Sequence, residues 1–363
     1  MSHESMMAHA LVLAERGLYT TAPNPRVGCV IVKDGHIIAE GWHQKAGQPH
    51  AEINALNQLD ERAARGTDCY ITLEPCSHIG RTSPCADALI KAGIRRAYIA
   101  MVDPNPLVAG QGVKKLQQAG IEVTTGVLEQ QAKNLNRGFC QRMRQGRPYI
   151  RSKIAMSLDG RTAMASGESQ WITGPDARQD VQKLRAQSGA IVTGIGTVLA
   201  DDPQMTVRPE QWYPAGQAIR QPLKVVVDSQ FKIASKAKIL SADGDTIIAT
   251  TSDKKRDNIN TIKLATSVEQ VDLTQLMVAL AKRDINDVLI EAGAILNGAM
   301  LTAGLIDEVV IYMAPKIMGD SAKGLFHLPA LQTMTDNIDL AITDIRAVGS
   351  DWRITAKPQY LKH

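Results

Sequence analysis

His50-Ala51-Glu52, then Leu73-Glu74-Pro75-Cys76 and, after eight intervening residues, Cys85 decide how this chain is read. Cys69-Tyr70-Ile71-Thr72-Leu73 has the apolar, β-branched content of a buried strand, Pro75-Cys76 closes it, and a helix follows over 85–92. His50 opens another helix, expected to run to about Ala64. One imidazole and two thiols thus stand where helices begin, placed to converge on one metal, with helix dipoles favouring thiolate. Zinc in a catalytic site takes three protein ligands and keeps a fourth position for water, whose pKa it lowers from about 15.7 to about 7. Glu52 can then carry protons between that water and a leaving amine. The competing reading is a core histidine and two buried thiols with no common role.

Working outward, apolar groups at Met6, Met7, Ala10, Leu11, Leu13 and Ala14 suit a helix ended by Gly17. Residues 27–32 read as a strand that Asp34-Gly35 turns into a second at 36–39. Further strands fall at 96–101 and 121–123, and helices at 112–120 and 129–144. Gln145-Gly146-Arg147-Pro148 breaks the pattern, which divides the chain into domains 1–145 and 146–363. Beyond it, strands at 149–156, 190–193, 223–228, 246–250, 287–291 and 308–314 alternate with helices at 176–186 and 295–303. This order implies α/β architecture with mostly parallel sheets in both halves. Residues 208–221, polar and rich in Pro and Gly, read as a surface loop.

Aromatics are only 4% of the chain against 44% apolar, so the cores are expected to be aliphatic. The net charge of +4 comes from 41 basic and 37 acidic residues, interspersed. That balance supplies neither the basic stripe nor the stacking platforms of a nucleic-acid groove, but suffices for a small anionic substrate. Of five cysteines, two lie in the metal motif, while Cys29, Cys69 and Cys140 read as ordinary thiols of a reducing compartment. No run of about 18 apolar residues can span a membrane, and Met1-Ser2-His3-Glu4 lacks an apolar signal core, so cytoplasm is expected.

The pattern H-x-E…P-C-x-x-C marks zinc nucleobase deaminases; this chain keeps its first half and lengthens the cysteine spacing. Asn24-Pro25 is either a turn or a side-chain amide for a pyrimidine edge. Arg81, between the cysteines, is a phosphate ligand or a solvated loop residue; His43 is weaker still. In the second half Gly194-Ile195-Gly196-Thr197 and Glu291-Ala292-Gly293-Ala294-Ile295-Leu296-Asn297-Gly298 put glycine-flanked backbone at strand ends. Such backbone can hold phosphates or simply turn. Neither is a G-x-G-x-x-G after a first strand, so a Rossmann fold is disfavoured.

Thr21-Ala22-Pro23-Asn24-Pro25-Arg26-Val27-Gly28, His50-Ala51-Glu52 and the run 73–85 resemble the deaminase half of the bifunctional bacterial riboflavin-biosynthesis deaminase–reductase family. Long cysteine spacing is that family's own; Ser83, often Pro there, is a mild departure. The resemblance covers essentially the whole chain. It implies a cytidine-deaminase-like three-layer domain, followed by a dihydrofolate-reductase-like domain that uses NADPH. It implies zinc on His50, Cys76 and Cys85, with Glu52 as proton donor. For NADPH it implies Ala155, Trp171, Thr197, Asp201 and Ser229, with Gly293, Ala294, Ile295, Leu296, Asn297, Gly298 and Ala299. For substrate it implies Ser169, Arg185, Met205, Arg208 and Glu291 besides Asn24. Arg185 and Arg208 can pair bidentately with phosphate, although a helical arginine more often makes an ion pair.

The expected substrate is a phosphorylated pyrimidine ribosylamine, deaminated by zinc-activated water and then reduced at the sugar. A homo-oligomer, dimer or tetramer, is also implied. Two rivals stand beside this reading. One is a deaminase of tRNA bases, which would have short cysteine spacing and no need of a second half. The other is a binding protein with structural zinc, which would fill all four positions with protein ligands.

Overall fold

Asp34 and Gly35 both take positive φ, 48° and 79°, the geometry that lets a two-residue turn match strand twist. They join β1 (Gly28–Lys33) to β2 (His36–Trp42). The computed structural model describes residues 2–77, 84–214, 219–264 and 269–360, and the chain falls into two units, Met1–Gly146 and Arg147–His363.

In the first unit β3 (Asp68–Ile71), β4 (Arg96–Ile99) and β5 (Glu122–Thr125) complete a five-stranded sheet of order β2-β1-β3-β4-β5. β3, β4 and β5 are parallel, but β1 runs antiparallel to both β2 and β3. The expectation of a mostly parallel sheet therefore fails here: the tight turn already commits β1 and β2 to opposite directions, and β1 also opposes its other neighbour. Helices come very close to this sheet. A Cβ on Gly28 would lie 1.9 Å from the Ala10 carbonyl oxygen in the helix His3–Glu15, and one on Gly41 would lie 2.2 Å from that of Ala51. The core is aliphatic, with Leu13, Ile31, Ile71, Leu89 and Ile99 essentially inaccessible.

Two helices expected to be continuous are broken. The helix after His50 stops at Leu56 and a short one, Glu61–Ala64, restarts beyond Asp60, whose carboxylate accepts from the Arg62 and Ala63 N–H groups. The expected 129–144 helix divides into Glu129–Leu135 and Arg137–Gln145 at Asn136. The Asn136 side chain accepts from the Arg26 N–H at 2.8 Å and donates to the Arg26 carbonyl at 2.9 Å, so a tertiary contact interrupts the helix.

The second unit holds β6 (Tyr149–Ser157), β7 (Ala190–Gly194), β8 (Leu223–Val227), β9 (Thr246–Thr250), β10 (Asn260–Lys263), β11 (Asp287–Ile290), β12 (Glu308–Ala314), β13 (Asp339–Val348) and β14 (Asp351–Gln359). They form a nine-stranded sheet of order β10-β9-β8-β7-β11-β6-β12-β14-β13. It is parallel from β10 to β12, as expected, and antiparallel at β14 and β13. Strands β10, β13 and β14 have no counterpart in the sequence reading. Helices Pro175–Gln187 and Ala294–Thr302 pack aliphatic side chains into the two cores that flank the sheet.

Candidate active sites

His50 caps the helix Ala51–Leu56, Cys85 is the first residue of the helix Cys85–Ala92, and Cys76 lies in the loop after β3. Their ligand atoms all lie within 4.8 Å of one another. His50 Nδ1 is 3.3 Å from Cys85 Sγ and 3.7 Å from Cys76 Sγ. Zinc bonds of about 2.3 Å to sulfur and about 2.1 Å to nitrogen give tetrahedral S···N edges of about 3.6 Å, so this donor set fits zinc without rearrangement. The Cys85 N–H, at a helix start, donates to Cys76 Sγ at 3.3 Å. Hydrogen bonding from Cys85, supported by His50, brings the Cys76 thiol down to about 4, the ionised form a metal requires.

Glu52 is 3% exposed. Burial lifts its carboxyl to about 7, against a smaller opposing pull from its own backbone and from His50. A carboxyl poised there can both take and give a proton at neutral pH. Glu74, next to Pro75-Cys76, has a different task. Its carboxylate accepts from the N–H groups of Asp103, Gly110 and Val113 at 2.9–3.1 Å and pins the 103–113 segment under the cysteine loop.

His43, the weakest of the candidates on sequence, is buried beside the metal ligands with its ring centroid 5.3 Å from that of His50. Burial lowers its pKa. With Nδ1–H donating to the Pro49 carbonyl at 3.1 Å, Nε2 accepts from the Asn24 amide at 3.1 Å. That bond fixes which way the Asn24 amide points. Only its contact with Asn24 reveals His43; no motif does. Arg81 lies outside the described residues.

In the second unit the residues of interest gather at the carboxyl ends of adjacent parallel strands, where open α/β sheets bind ligands. Ala155 is near the end of β6, Thr197 and Asp201 follow β7, Ser229 follows β8, and Glu291 with the 293–299 turn follows β11. Exposed apolar side chains follow the same ends: Leu158 after β6, Leu199 after β7, Ile295 after β11 and Ile317 after β12. Trp171, 64% exposed, carries the Arg178 guanidinium 4.7 Å from its ring centroid. The helix Ala294–Thr302 has no side-chain N-cap, and a Cβ on Gly293 would meet nothing within 4 Å. Uncapped N–H groups beside exposed apolar surface fit a dinucleotide, phosphate and ring alike. Ser229 Oγ accepts from the Val271 N–H at 3.3 Å.

Within the 293–299 turn, Gly293, Ile295 and Ala299 are exposed, whereas Leu296, Asn297 and Gly298 face the interior. Asn297 accepts from Ser152 Oγ at 2.7 Å and donates to the Ala292 carbonyl at 2.8 Å. A Cβ on Gly298 would lie 2.2 Å from the His327 carbonyl oxygen. These three hold the helix in place.

Arg185, Met205 and Glu291 come together. Arg185 Nη1 donates to the Thr206 carbonyl at 2.9 Å, and its other two nitrogens face the Glu291 carboxylate. Its fork is thus taken by the protein, while the Arg208 side chain is exposed. Ser169 Oγ donates to Asp201 at 3.1 Å, joining a residue expected at the substrate to one expected at the cofactor. Lys153, given a place in a strand but no role by the sequence reading, lies with Nζ 3.0 Å from Glu291; pairing of β6 with β11 brings it there.

Comparison with known proteins follows the same division. Residues 1–101 match the family described as the cytidine and deoxycytidylate deaminase zinc-binding region, and residues 148–354 match the RibD C-terminal domain. The riboflavin biosynthesis protein RibD of Escherichia coli K12 is 51% identical over 361 residues, covering 97% of this chain and 98% of that protein. The structure of Acinetobacter baumannii RibD, form 1, superposes with a TM-score of 0.92 at 46% identity, with 99% of each chain covered. A Thermotoga maritima structure, described as a diaminohydroxyphosphoribosylaminopyrimidine deaminase/5-amino-6-(5-phosphoribosylamino)uracil reductase, gives 0.88 at 34% identity, covering 98% of this chain and 99% of that one. The α/β architecture is thus a cytidine-deaminase-like domain followed by a reductase domain, and the cofactors are Zn2+ and NADPH. Matched along nearly its whole length, the chain belongs to the RibD family of bifunctional riboflavin-biosynthesis deaminase–reductases.

Proposed function

We propose that residues 1–145 deaminate 2,5-diamino-6-ribosylamino-4(3H)-pyrimidinone 5′-phosphate. Residues 146–363 then reduce the ribosyl group of the product, 5-amino-6-(5-phosphoribosylamino)uracil, to ribityl. The observation that carries this reading is the convergence of His50, Cys76 and Cys85 next to a buried carboxyl, Glu52. The Thermotoga relative's description names the same two substrates.

His50, Cys76 and Cys85 hold zinc, which supplies a water nucleophile that ionises near neutral pH. With zinc bound, Glu52 would take one proton from that water and pass it to the ring nitrogen, then take the second from the resulting hydroxyl and pass it to the departing amine, so water enters and ammonia leaves. Asn24, oriented by His43, meets the pyrimidine edge. In the second domain bound NADPH would supply the hydride that reduces C1 of the sugar in its open-chain imine form, with a proton from solvent going to the imine nitrogen. Ala155, Trp171, Thr197, Asp201, Ser229 and the helix start at Gly293, Ala294, Ile295 and Ala299 bind that cofactor, with Leu296, Asn297 and Gly298 seating that helix. Ser169 and Glu291 bond sugar hydroxyls, and Met205 lines the site. Arg208, with its exposed guanidinium, is the better phosphate ligand, and Arg185 positions Glu291 and Met205. The protein works as a homo-oligomer in the cytoplasm, on a small phosphorylated substrate and not on nucleic acid; among the described residues no helix is long and apolar enough to cross a membrane.

Mass spectrometry of the zinc-loaded protein with the diaminopyrimidinone phosphate, with and without NADPH, tests both steps. Exchange of amine for carbonyl without NADPH, and added reduction with it, is the expected result. No change in either incubation overturns the assignment.

A further inference from the structure

Trp171 is 64% exposed, more open than any other described Trp, Tyr or Phe, yet the segment that carries it is braced. Lys316, just past the end of β12, donates from Nζ to the Trp171 carbonyl at 2.7 Å. The Lys316 loop is tied in turn to the residues after β6, where the Asp159 carboxylate accepts from the N–H groups of Met318 and Gly319 at 2.8–3.1 Å. A large apolar ring fixed at the carboxyl end of the sheet and left in solvent is surface waiting to be covered.

Arg178 takes one face of that ring. It lies in the first turn of the helix Pro175–Gln187, which brings its guanidinium carbon 4.7 Å from the indole centroid, and its Nη1 donates to the Thr173 carbonyl at 2.7 Å. A cation in the first turn of a helix opposes the helix dipole, so helix stability does not account for its place there. Among the described residues it makes no ion pair, and its charge bears undiminished on the ring. With one face of the indole taken, the exposure that remains belongs to the other.

The two redox forms of the cofactor differ in charge at a single ring: giving up hydride turns the neutral dihydronicotinamide into a pyridinium cation. A bare indole face attracts such a cation. An indole that already carries a guanidinium on its far side holds it less well, because the two like charges repel. We propose that Arg178 is a positioning residue of the reductase site: stacked on one face of Trp171, it leaves the other for the nicotinamide and turns that face against the oxidised form, so that the site prefers NADPH to NADP+. This rests on the reading above that Trp171 binds the cofactor. It gives the site a means of shedding the spent cofactor once the hydride has left, at the stage where product release commonly limits turnover.

Calorimetric titration of the full-length protein with NADPH and with NADP+ tests it. The readout is the ratio of the two Kd values, since a loosened or partly unfolded site weakens both forms together and leaves the ratio alone. The parent protein is expected to bind NADPH more tightly. Arg178→Gln and Arg178→Met, which remove the charge, are expected to narrow the ratio about 3–10-fold, while Arg178→Lys, which keeps it, stays near the parent. Trp171→Ala is expected to weaken both forms; no change in either Kd overturns the reading of Trp171 as a cofactor contact, and this proposal with it. Where Trp171→Ala does weaken binding, the role of Arg178 alone is overturned by any of three results: a parent that binds both forms equally, a ratio unmoved in both neutral variants, or an Arg178→Lys ratio as narrow as theirs.

Discussion

Arg185 grips Glu291 through two near-parallel contacts, Nε to Oε1 at 2.6 Å and Nη2 to Oε2 at 3.1 Å, with Lys153 Nζ closing on the same carboxylate at 3.0 Å. Glu291 is 6% exposed, so one buried anion is shared by two cations. Removing one partner of such a group leaves a charge in a poor solvent for it, a loss of about 3–5 kcal/mol. Arg185→Ala is therefore expected to lower the denaturation midpoint and raise the reductase KM, with ammonia release unchanged. Urea titration and separate assays of the two activities check this; an unperturbed midpoint and KM would remove Arg185 from the site's support.

The same carboxylate makes a pH prediction. Burial alone would raise the Glu291 pKa, but Arg185 and Lys153 overcome it and hold it at about 2 against an ordinary 4.5. Because the folded value is depressed, the stabilisation is present above about pH 4.5 and drains away as pH falls towards 2. Its full size is about 3 kcal/mol. Stability measured between pH 5 and pH 3 should fall less steeply in Glu291→Gln than in the parent protein. Equal slopes would refute the shift.

Chelation with phenanthroline is expected to abolish ammonia release while reduction of pre-deaminated substrate continues and the far-ultraviolet spectrum stays unchanged. Glu52→Gln should retain zinc by elemental analysis and lose about 10²–10⁴-fold in deamination. Loss of both activities in that folded, zinc-loaded variant would contradict independent sites.

Gly41→Ala tests how the helix bearing His50 and Glu52 is seated. Its Cβ would lie 2.2 Å from the Ala51 carbonyl oxygen, rigid backbone that cannot step aside. The helix start is expected to shift, weakening zinc retention under dilute chelator and slowing deamination, while reduction is unaffected. Undiminished zinc retention would show that the helix absorbs the methyl group elsewhere.

His50 at a helix start, Pro75-Cys76 after a strand and the Asp34-Gly35 turn could be read directly because each depends on neighbours in sequence. The break at Asn136 could not, since its cause is the backbone of Arg26, far away along the chain. β13 escaped for a different reason: its bulge moves the apolar positions from 340 and 342 to 345 and 347, which destroys period-two alternation. The metal ligands and Glu52 carry a compact motif, whereas Lys153 and His43 carry none. They become visible only when β6 lies beside β11 and when His43 closes on Asn24.

The grip of Asn136 on Arg26 also bears on how the protein is made. All three metal ligands leave the ribosome by residue 85, yet the segment carrying Asn24 gains this clasp only once residue 136 has emerged. A nascent chain released between those two points would hold every donor for zinc and still lack the clasp on Arg26, two residues from Asn24. The zinc donors and the clasp that seats the Asn24 segment therefore enter the folding chain at different stages, in that order.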